Sequence, residues 1–589
     1  MSCKSSSQQR LDQVLSHFEG RNDRLSFVEG PTEPPLLRVT LSQLLNKQCE
    51  KYGNRECVVV PWTGTRWTYN DLQREADHLA RGLFIMGARR GDRVGVMACN
   101  CEEYISIFFA AAKIGAVLVA FNNHFMSSEL YSALDYTECK ILFLTPLIGT
   151  RSLEDVLNRM GPHPKRNGLS AHLEAVIVLR GTYDGFNTYL DVARLASEIS
   201  RDKMRSVEAK VHPDDVCNLQ FTSGSTGTPK AAMLTHVGLV NNSRFVGDRL
   251  NLTPSDTLCC PPPLFHCFGL VLGLLVVVTH GSELVLPSET FDPSAVLESL
   301  SSERCTAVHG VPTMFESILA CPRPSYFDIS KLRTGIVAGA PVTPTLMDRL
   351  TRELNMTQFT SSYGLTEASP TCFNAHTTDS IHTRLTTVGH IMPHAKAKIV
   401  DSKKNIVPIG QAGELYIAGY QVTKGYWKST AKTLEILEVD IGGTTWLKTG
   451  DQAVMDSRGY CRITGRIKDI IIRGGENIFP PEIEACLARH PAIQVASVIG
   501  VPDRYYGEVV GAFIQLGPDQ ENKRPSLADL REWTIERIGK HKSPHYVFVL
   551  GENGVPRDIP VTGSGKVRKN DLRAIAKRLL DQRSVTEGQ

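Results

Sequence analysis

Helical segments alternate with short apolar runs rich in β-branched residues through the first 150 residues of the chain. The apolar runs 57–60, 117–119 and 141–144 have the length of short buried strands. Residues 71–86 and 105–114 lie among these runs and have the pattern of helices. Apolar strands separated by helices are typical of a parallel sheet that is covered by helices on its faces. The sequence therefore predicts an α/β fold.

The chain has 589 residues, which is more than one ordinary core contains, so two or more domains are expected. Short strands spaced by glycine turns at 397–400, 413–417 and 460–464 predict a small β subdomain. The chain after residue 469 has the pattern of a separate small α+β domain. We divide the chain into an N-terminal targeting and linker segment, 1–36, a large domain, 37–466, and a C-terminal domain, 469–589.

Composition excludes several classes of protein. Lys and Arg exceed Asp and Glu by 65 − 62 = 3, which is too balanced for nucleic acid or an anionic membrane as the main partner. Fifteen cysteines without a Cys-x-x-Cys pair indicate reduced, mostly buried thiols and not a zinc site. The first forty residues lack the apolar region of a secretory signal. The longest apolar run, 267–278, predicts a buried core helix and no transmembrane segment, because it has roughly half the length of a membrane span.

A loop rich in glycine and hydroxyl residues is the most informative motif. It reads Thr222, Ser223, Gly224, Ser225, Thr226, Gly227, Thr228, Pro229, Lys230. Glycines let backbone N–H groups approach an anion, while the hydroxyls and the lysine add donors and positive charge, so the loop suits a triphosphate. The spacing is not that of the ordinary P-loop. The alternative is a polar surface turn.

Two further turns combine residue types that suit a nucleotide. Tyr363-Gly364-Leu365-Thr366-Glu367 places a hydroxyl beside a carboxylate, which suits a phosphate oxygen and its Mg²⁺, although a helix start gives the same pattern. Thr449-Gly450-Asp451 offers a carboxylate for the two hydroxyls of a ribose, or is an ordinary turn.

Three charged or glycine-rich segments follow in the C-terminal part. The segment 465–469 carries Arg466, Lys468 and one anion at the predicted domain junction, as a solvated linker also would. The turn 473–477 contains Gly474 and Gly475, and the segment 562–569 is a Gly/Ser loop that presents Lys566, or a flexible basic tail.

The order and spacing of these motifs resemble the adenylate-forming superfamily over about residues 40–575: acyl- and aryl-CoA synthetases, peptide-synthetase adenylation domains and firefly-type luciferases. Within it, the chain looks most like medium-chain acyl-CoA synthetases of fungal and mitochondrial type. The resemblance implies a large N-terminal domain with two α/β sheets plus a small β subdomain, and a small mobile α+β C-terminal domain. It implies a ligase that uses ATP, Mg²⁺ and coenzyme A to convert a carboxylic acid, through an acyl-adenylate, into an acyl-CoA.

The same resemblance implies roles for individual residues. The loop Thr222–Lys230 would hold the β- and γ-phosphates of ATP. Gly339, Ala340, Pro341, Ser362, Tyr363 and Gly364 would line the adenine. Thr366 would contact the α-phosphate, Glu367 would bind Mg²⁺, and Asp451 would take the ribose hydroxyls with Arg466 beside it. Lys468 would be the hinge, Lys566 would bridge the carboxylate and the α-phosphate, His266 would gate the acid, and Gly474 and Gly475 would face the pantetheine channel. The family usually has glycine where this chain has Ala231, so we expect tighter packing there.

The acid is less constrained by the sequence. The resemblance implies that its pocket draws on Asn241, Asn242, Phe245, Phe265, His266, Val311, Met314 and Ala338. The paired asparagines suit a polar acid, or are simply the polar side of a helix. With its length and N-terminus, the chain is similar to the mevalonate–CoA ligases of fungal siderophore pathways. The alternative is a ligase for medium-chain fatty acids or aryl acids of a fungal secondary-metabolite pathway.

The N-terminus contains a candidate targeting signal. In the nonapeptide 10–18, Arg10 and His17 bracket apolar residues that share one helix face. This resembles the N-terminal type of peroxisomal signal, which implies an import receptor as partner. The alternative is an ordinary amphipathic helix of a cytoplasmic protein.

Other classes of function remain open at this point. A free-standing adenylation module would pass acyl-AMP to a carrier protein, but no carrier domain follows residue 575. A luciferase-like oxygenase would need an oxidisable substrate. An inactive binding protein is disfavoured, because Lys230, Glu367, Asp451, Arg466 and Lys566 are all present.

Overall fold

The computed structural model describes residues 25–165, 170–222, 230–339, 342–517, 524–562 and 567–586. Several predicted features lie outside these described residues: the nonapeptide 10–18, the loop residues Ser223, Gly224, Ser225, Thr226 and Gly227, the pair Ala340 and Pro341, and Lys566.

The first sheet has seven strands, parallel except for the last pair. In spatial order its strands are Asn187–Thr188, Ala175–Val178, Cys139–Leu144, Arg93–Met97, Val117–Ala120, Val216–Thr222 and Lys230–Thr235. The predicted loop therefore connects the two strands at one edge of this sheet. Leu147–Ile148 and Arg151–Ser152 form a separate small hairpin.

The second sheet has five strands, also mainly parallel. They are Ala307–Val308, Thr257–Cys259, Glu283–Val285, Glu56–Val60 and Thr65–Thr68. A third, four-stranded sheet consists of Ile336–Ala338, Thr360–Gly364, Thr371–Asn374 and His390–Ile391. Parallel bridges from Ala307 to Thr334 and from Gly310 to Val337 join the second and third sheets into one continuous surface.

Helices pack between and outside these two surfaces. The largest core cluster contains residues of the first sheet, such as Val94, and of the second, such as Val58, with the helix Glu102–Ile114 among them. The helices of the large domain are Leu41–Tyr52, Tyr69–Ile85, Glu102–Ile114, Ser127–Thr137, Glu154–Met160, Tyr189–Arg194, Arg201–Glu208, His236–Arg249, Phe268–Leu275, Val276–His280, Pro293–Ser302, Pro312–Ala320, Pro344–Glu353, Ile381–Thr386 and Thr430–Ile436, with 3-10 turns at Leu195–Glu198, Thr366–Ala368 and Ile467–Asp469.

The apolar run 267–278 forms a buried helix, as predicted. Its first part, Phe268–Leu275, is a wide π-helix, and every side chain in that part is buried. In the described part of the chain, no helix combines the length and apolar character that crossing a membrane requires.

The β subdomain is an antiparallel six-stranded sheet. Its strands are Phe27–Glu29, Ala395–Val400, Gly413–Gly419, Thr445–Met455, Leu437–Val439 and Cys461–Arg466. The prediction of a linker before residue 37 is wrong at Phe27–Glu29, because these residues pair with Ala395–Val400 as an edge strand of this sheet.

The C-terminal domain is a five-stranded sheet with core clusters on both of its faces. Its strands are Glu476–Ile478, Ile471–Arg473, Gly507–Leu516, Ile493–Asp503 and Tyr546–Val549, and its helices are Pro480–Leu487, Leu527–Ile538, the 3-10 turn Lys540–Lys542 and Lys569–Thr586. The predicted fold class, with two α/β sheets, a small β subdomain and a separate α+β domain, is confirmed.

Candidate active site

The phosphate loop is closed by a pair of residues across an antiparallel hairpin. Thr222, at the end of one edge strand, pairs with Lys230, at the start of the other. Thr235 then caps the helix His236–Arg249 through its side chain, which accepts from the N–H of Gly238. The sequence predicted the loop but not the strand Lys230–Thr235 that follows it.

The residues predicted to line the adenine come from two parallel strands that end at the same edge. Ala338 pairs with Ser362, so Gly339 and Tyr363 follow at neighbouring positions. Gly339 has φ +91°, which favours glycine. A Cβ on Gly364 would lie 2.0 Å from the carbonyl oxygen of Pro370, so no larger residue fits there without moving the backbone.

Tyr363 and Asp451 are joined although they lie on different sheets. The Tyr363 hydroxyl donates to Oδ2 of Asp451 at 2.6 Å, and Arg466 Nε lies 3.3 Å from Oδ1. Burial, and next the charge of Asp451, raises the pKa of Tyr363, so the phenol remains a donor. The structure thus brings the predicted adenine, ribose and arginine positions together in one cluster.

Thr366 and Glu367 lie in a 3-10 turn directly after the strand of Tyr363. The Glu367 carbonyl accepts from the N–H of Thr423 at 2.8 Å, and its carboxylate Oε1 accepts from the hydroxyl of Tyr426 at 2.6 Å. Burial, and next the charge of Glu367, raises the pKa of Tyr426. The turn is therefore fixed at both its backbone and its side chain.

Tyr426 also lies beside Lys230, the lysine of the predicted phosphate loop. Lys230 Nζ lies 5.3 Å from the centroid of the Tyr426 ring, within the range of a cation–π contact. Residues 423–427, which we call the bracing segment, run along the strand of Lys230: Trp427 N–H donates to Ala231 at 2.8 Å and Met233 N–H donates to Gly425 at 2.9 Å. Ala231, where the family usually has glycine, is fully buried.

The bracing segment contacts two of the predicted site residues, Lys230 and Glu367, and the sequence did not predict it. It follows the strand Gly413–Gly419 in the chain but reaches the strand Lys230–Thr235 only in the fold. A lone Gly-Tyr-Trp sequence carries no periodic or motif signal, so only long-range contacts reveal it.

The residues around Glu367 fit the predicted magnesium ion. Mg²⁺ prefers one or two carboxylates together with substrate oxygens. Glu367 is half-buried, and its Oε2 makes no hydrogen bond to another described residue. In the described ranges, no group of three or more His, Cys, Asp or Glu could hold a metal ion. A single carboxylate such as Glu367 can share Mg²⁺ with phosphate oxygens.

His266 lies in a turn that leads into the buried wide helix. Its Nδ1 accepts from the N–H of Phe268 at 3.1 Å, so a neutral ring carries its proton on Nε2. Phe265 and Val311, two of the predicted pocket residues, are mostly buried, while Met314 and Ala338 are half-buried.

The predicted role of the paired asparagines in the acid pocket is wrong. Asn242 is fully buried and exchanges hydrogen bonds with the backbone of Thr371, donating at 2.8 Å and accepting at 3.0 Å. Asn241 does the same with Leu37, donating at 2.9 Å and accepting at 2.7 Å. Their side-chain amides hydrogen-bond the helix His236–Arg249 to the backbone of Leu37 and Thr371. Phe245, on the same helix, is buried against His394 and Tyr420.

The predicted hinge residue lies beside this cluster, whereas the predicted pantetheine residues lie in the C-terminal domain. Lys468 is in the 3-10 turn Ile467–Asp469, and partial burial, followed by the charge of Arg466, lowers its pKa. Gly474 and Gly475, with φ +58° and +87°, form the two-residue turn of a C-terminal hairpin. Among the described contacts, neither glycine touches the nucleotide cluster.

Comparison with known proteins identifies the family to which the chain belongs. A sequence profile of AMP-binding enzymes matches residues 45–427, and a profile of the AMP-binding enzyme C-terminal domain matches residues 482–566. The chain belongs to the AMP-binding enzyme family. It is 64% identical to the acyl-CoA ligase sidI of Aspergillus fumigatus, with 98% of each chain covered.

A further sequence relative and a solved structure are similar to this chain. It is 36% identical to the mitochondrial medium-chain acyl-CoA ligase of Danio rerio, over 93% of this chain and 90% of that one. It is similar in fold to the ATP-bound MatB from Rhodopseudomonas palustris, with a TM-score of 0.77, 26% identity, and 91% and 99% of the two chains covered. The protein is an AMP-forming acid–CoA ligase: ATP and coenzyme A are its co-substrates, and an acyl-adenylate is its intermediate.

Proposed function

We propose that the acid is mevalonate and that the ligase forms mevalonyl-CoA for siderophore biosynthesis. The observation that carries the proposal is the difference in identity, 64% to the fungal acyl-CoA ligase against 36% to the medium-chain ligase, over nearly the same length. Ligases of one family share their nucleotide machinery, so a difference this large supports a different acid from a medium-chain fatty acid.

The residues near the predicted acid pocket are compatible with a short acid that carries hydroxyls. Asn241 and Asn242 are occupied by backbone, so they contribute no acid contact. Among the other described pocket residues, His266 has the polar side chain, and an imidazole is of the type that forms hydrogen bonds with carboxylates and hydroxyls. The apolar side chains Phe265 and Val311 suit the methyl and methylene groups of mevalonate.

The first half-reaction joins the acid to AMP. A carboxylate oxygen attacks the α-phosphorus of ATP, the bond to the bridging oxygen of the β-phosphate breaks, and pyrophosphate leaves. Thr222 and Lys230 hold the leaving phosphates, Thr366 contacts the α-phosphate, and Asp451 holds the ribose. Mg²⁺ bound at Glu367 would offset phosphate charge during this step.

The second half-reaction transfers the acyl group to the thiol. The thiol of coenzyme A loses its proton to solvent, its sulfur attacks the acyl carbonyl carbon, and AMP leaves with the electron pair of the broken C–O bond. Lys566 belongs to the C-terminal domain, so closure of this domain would complete the first-step site. Rotation about Lys468 would then withdraw Lys566 and bring Gly474 and Gly475 towards the thiol route.

A screen of pyrophosphate release tests the acid. The purified ligase is supplied with ATP, Mg²⁺ and mevalonate, hexanoate, octanoate or benzoate, with and without coenzyme A, and products are identified by mass. We expect the highest kcat/KM with mevalonate and accumulation of mevalonyl-CoA. A higher kcat/KM with octanoate would assign the medium-chain alternative, and one with benzoate would assign the aryl alternative.

We also propose that the nonapeptide 10–18 directs the ligase to peroxisomes through an import receptor. Its Arg10, Leu11, His17 and Phe18 fit the N-terminal type of signal. Residues 1–25 fused to a fluorescent reporter should colocalise with a peroxisomal marker, and the same fusion with His17→Ala should not. If both fusions remain in the cytoplasm, the nonapeptide is not a peroxisomal signal and the cytoplasmic alternative holds.

A further inference from the structure

We propose that Tyr426 is a positioning residue that sets the affinity of the nucleotide site for its divalent cation by fixing the carboxylate of Glu367, and that its ring separately supports Lys230. The proposal rests on the ligase's use of ATP and not on the identity of the acid. It concerns a residue outside the phosphate loop and outside the turn that carries Glu367.

The hydroxyl and the ring of Tyr426 face different partners. The hydroxyl donates at 2.6 Å to Glu367 Oε1, and the face of the ring lies 5.3 Å from Lys230 Nζ. Thr222 lies next to the same hydroxyl. The phenol of Tyr426 thus contacts Thr222 and Lys230, which are the two ends of the hairpin. It also contacts Glu367, the predicted metal ligand.

The phenol is held in a fixed position. Tyr426 is only 6% exposed, and its N–H donates to Thr433 Oγ1 at 2.9 Å. The following residue, Trp427, is bound to Ala231 through its N–H and to Tyr136 through its indole N–H at 3.2 Å. A rigid donor at Oε1 directs Oε2 in one direction, which is what a metal ligand requires of its supporting residues.

Removing only the hydroxyl separates the two contacts. Tyr426→Phe keeps the ring beside Lys230 but leaves Glu367 without its donor. Loss of such a supporting contact lowers metal affinity by about 10-fold or more. Tyr426→Leu removes the ring as well, so it should also weaken the binding of ATP in the absence of metal.

Binding experiments without any acid test the proposal. Calorimetry measures the affinity for ATP with Mg²⁺ and with EDTA, and electron paramagnetic resonance of Mn²⁺ measures the fraction of metal bound with ATP. We expect Tyr426→Phe to bind metal-free ATP with the same affinity as the wild type. The factor by which the metal increases the affinity for ATP should be about 10-fold smaller in the variant. Because no acid is present, failure of the mevalonate proposal would not affect this result.

The chain offers a matched control in Tyr460, whose hydroxyl donates to Asp379 Oδ1 at 2.7 Å in a separate buried cluster. Tyr460→Phe removes an equivalent bond between tyrosine and carboxylate and should leave the metal dependence unchanged. An equal loss in both variants, or none in Tyr426→Phe, would overturn the proposal. So would a further loss of metal affinity when Tyr426→Phe is added to Glu367→Gln.

A second variant covers the case in which Tyr426→Phe does not fold. Thr433→Val keeps the phenol but removes the acceptor of the Tyr426 N–H, so it should shift the metal dependence in the same direction by a smaller factor. A folded Thr433→Val protein with wild-type metal dependence, in the absence of a usable Tyr426→Phe, would count against the proposal.

Discussion

The hydroxyl of Tyr363 donates a 2.6 Å hydrogen bond to Oδ2 of Asp451 and so connects the third sheet to the β subdomain. Because the other oxygen of Asp451 lies 3.3 Å from Arg466 Nε, the carboxylate is oriented from two sides before a nucleotide arrives. Orientation of a binding group in advance improves affinity by lowering the entropy lost on binding.

Tyr363→Phe should therefore weaken ATP binding. We expect the KM for ATP to rise by about tenfold, equivalent to about 1.4 kcal/mol, since a hydrogen bond to a charged group is lost. Initial rates at varied ATP concentrations measure this. Tyr183→Phe, which removes a 2.8 Å bond to Asn158 near the opposite edge of the first sheet, should leave the KM unchanged. A normal KM in Tyr363→Phe would show that Asp451 needs no support from the phenol.

Lys566→Ala should separate the two half-reactions. In the proposed mechanism Lys566 would offset repulsion between the carboxylate and the α-phosphate, so its loss should lower adenylate formation by about 100-fold or more. Thiolysis of acyl-adenylate supplied to the enzyme should continue, because in that mechanism this step would follow withdrawal of Lys566. Single-turnover assays of each half-reaction measure the two effects.

The control for this experiment is Lys577→Ala, an exposed lysine of the helix Lys569–Thr586. It removes one positive charge from the C-terminal domain and should change neither half-reaction. Equal losses of adenylation and thiolysis in Lys566→Ala would contradict the assignment of Lys566 to the first step alone.

Asn242→Leu should lower stability without changing the choice of acid. The substitution leaves the N–H and C=O of Thr371 without partners in a fully buried position, which costs about 2–4 kcal/mol. Thermal melting should show the loss, while the ratio of kcat/KM between mevalonate and octanoate stays constant. A changed ratio at an unchanged melting temperature would return Asn242 to the acid pocket.

Local sequence patterns predicted those parts of the fold that depend on residues close together in the chain. Gly115, with φ +72°, ends the helix Glu102–Ile114 where the sequence predicted it. Buried β-branched runs became the central strands, and the glycine-rich loop lies at the end of one of them. Periodicity and turn residues act within a few positions along the chain, so a single sequence reveals them.

Parts that depend on distant contacts were not predictable in this way. The strand Lys230–Thr235 has little β propensity of its own, and its pairing with Val216–Thr222 and with the bracing segment decides its conformation. Tyr426 is almost 200 residues from Lys230 in the chain. A side chain's role as a support becomes visible only when its two partners are located.

Glu283 gives the ligase a pH-dependent stability that is independent of its active site. Burial, and next the charge of Glu56, raises the pKa of Glu283 from 4.5 to about 7, despite the opposing charge of Arg66. Between these values the folded state binds more protons at this group than the unfolded state does. The free energy of unfolding therefore falls as pH rises through this window. The total loss is at most about 3 kcal/mol and is complete above pH 7.

Glu283→Gln removes this titration. The variant should resemble the wild type in stability at about pH 3.5, where Glu283 is largely protonated in both states, and should become relatively more stable up to about pH 8. Urea unfolding at pH values across this range measures the difference between the two proteins. Glu298→Gln, at an exposed position of the helix Pro293–Ser302, is the control and should follow the wild type at every pH. A constant difference between Glu283→Gln and the wild type would mean that Glu283 ionises at its ordinary pKa in the folded ligase.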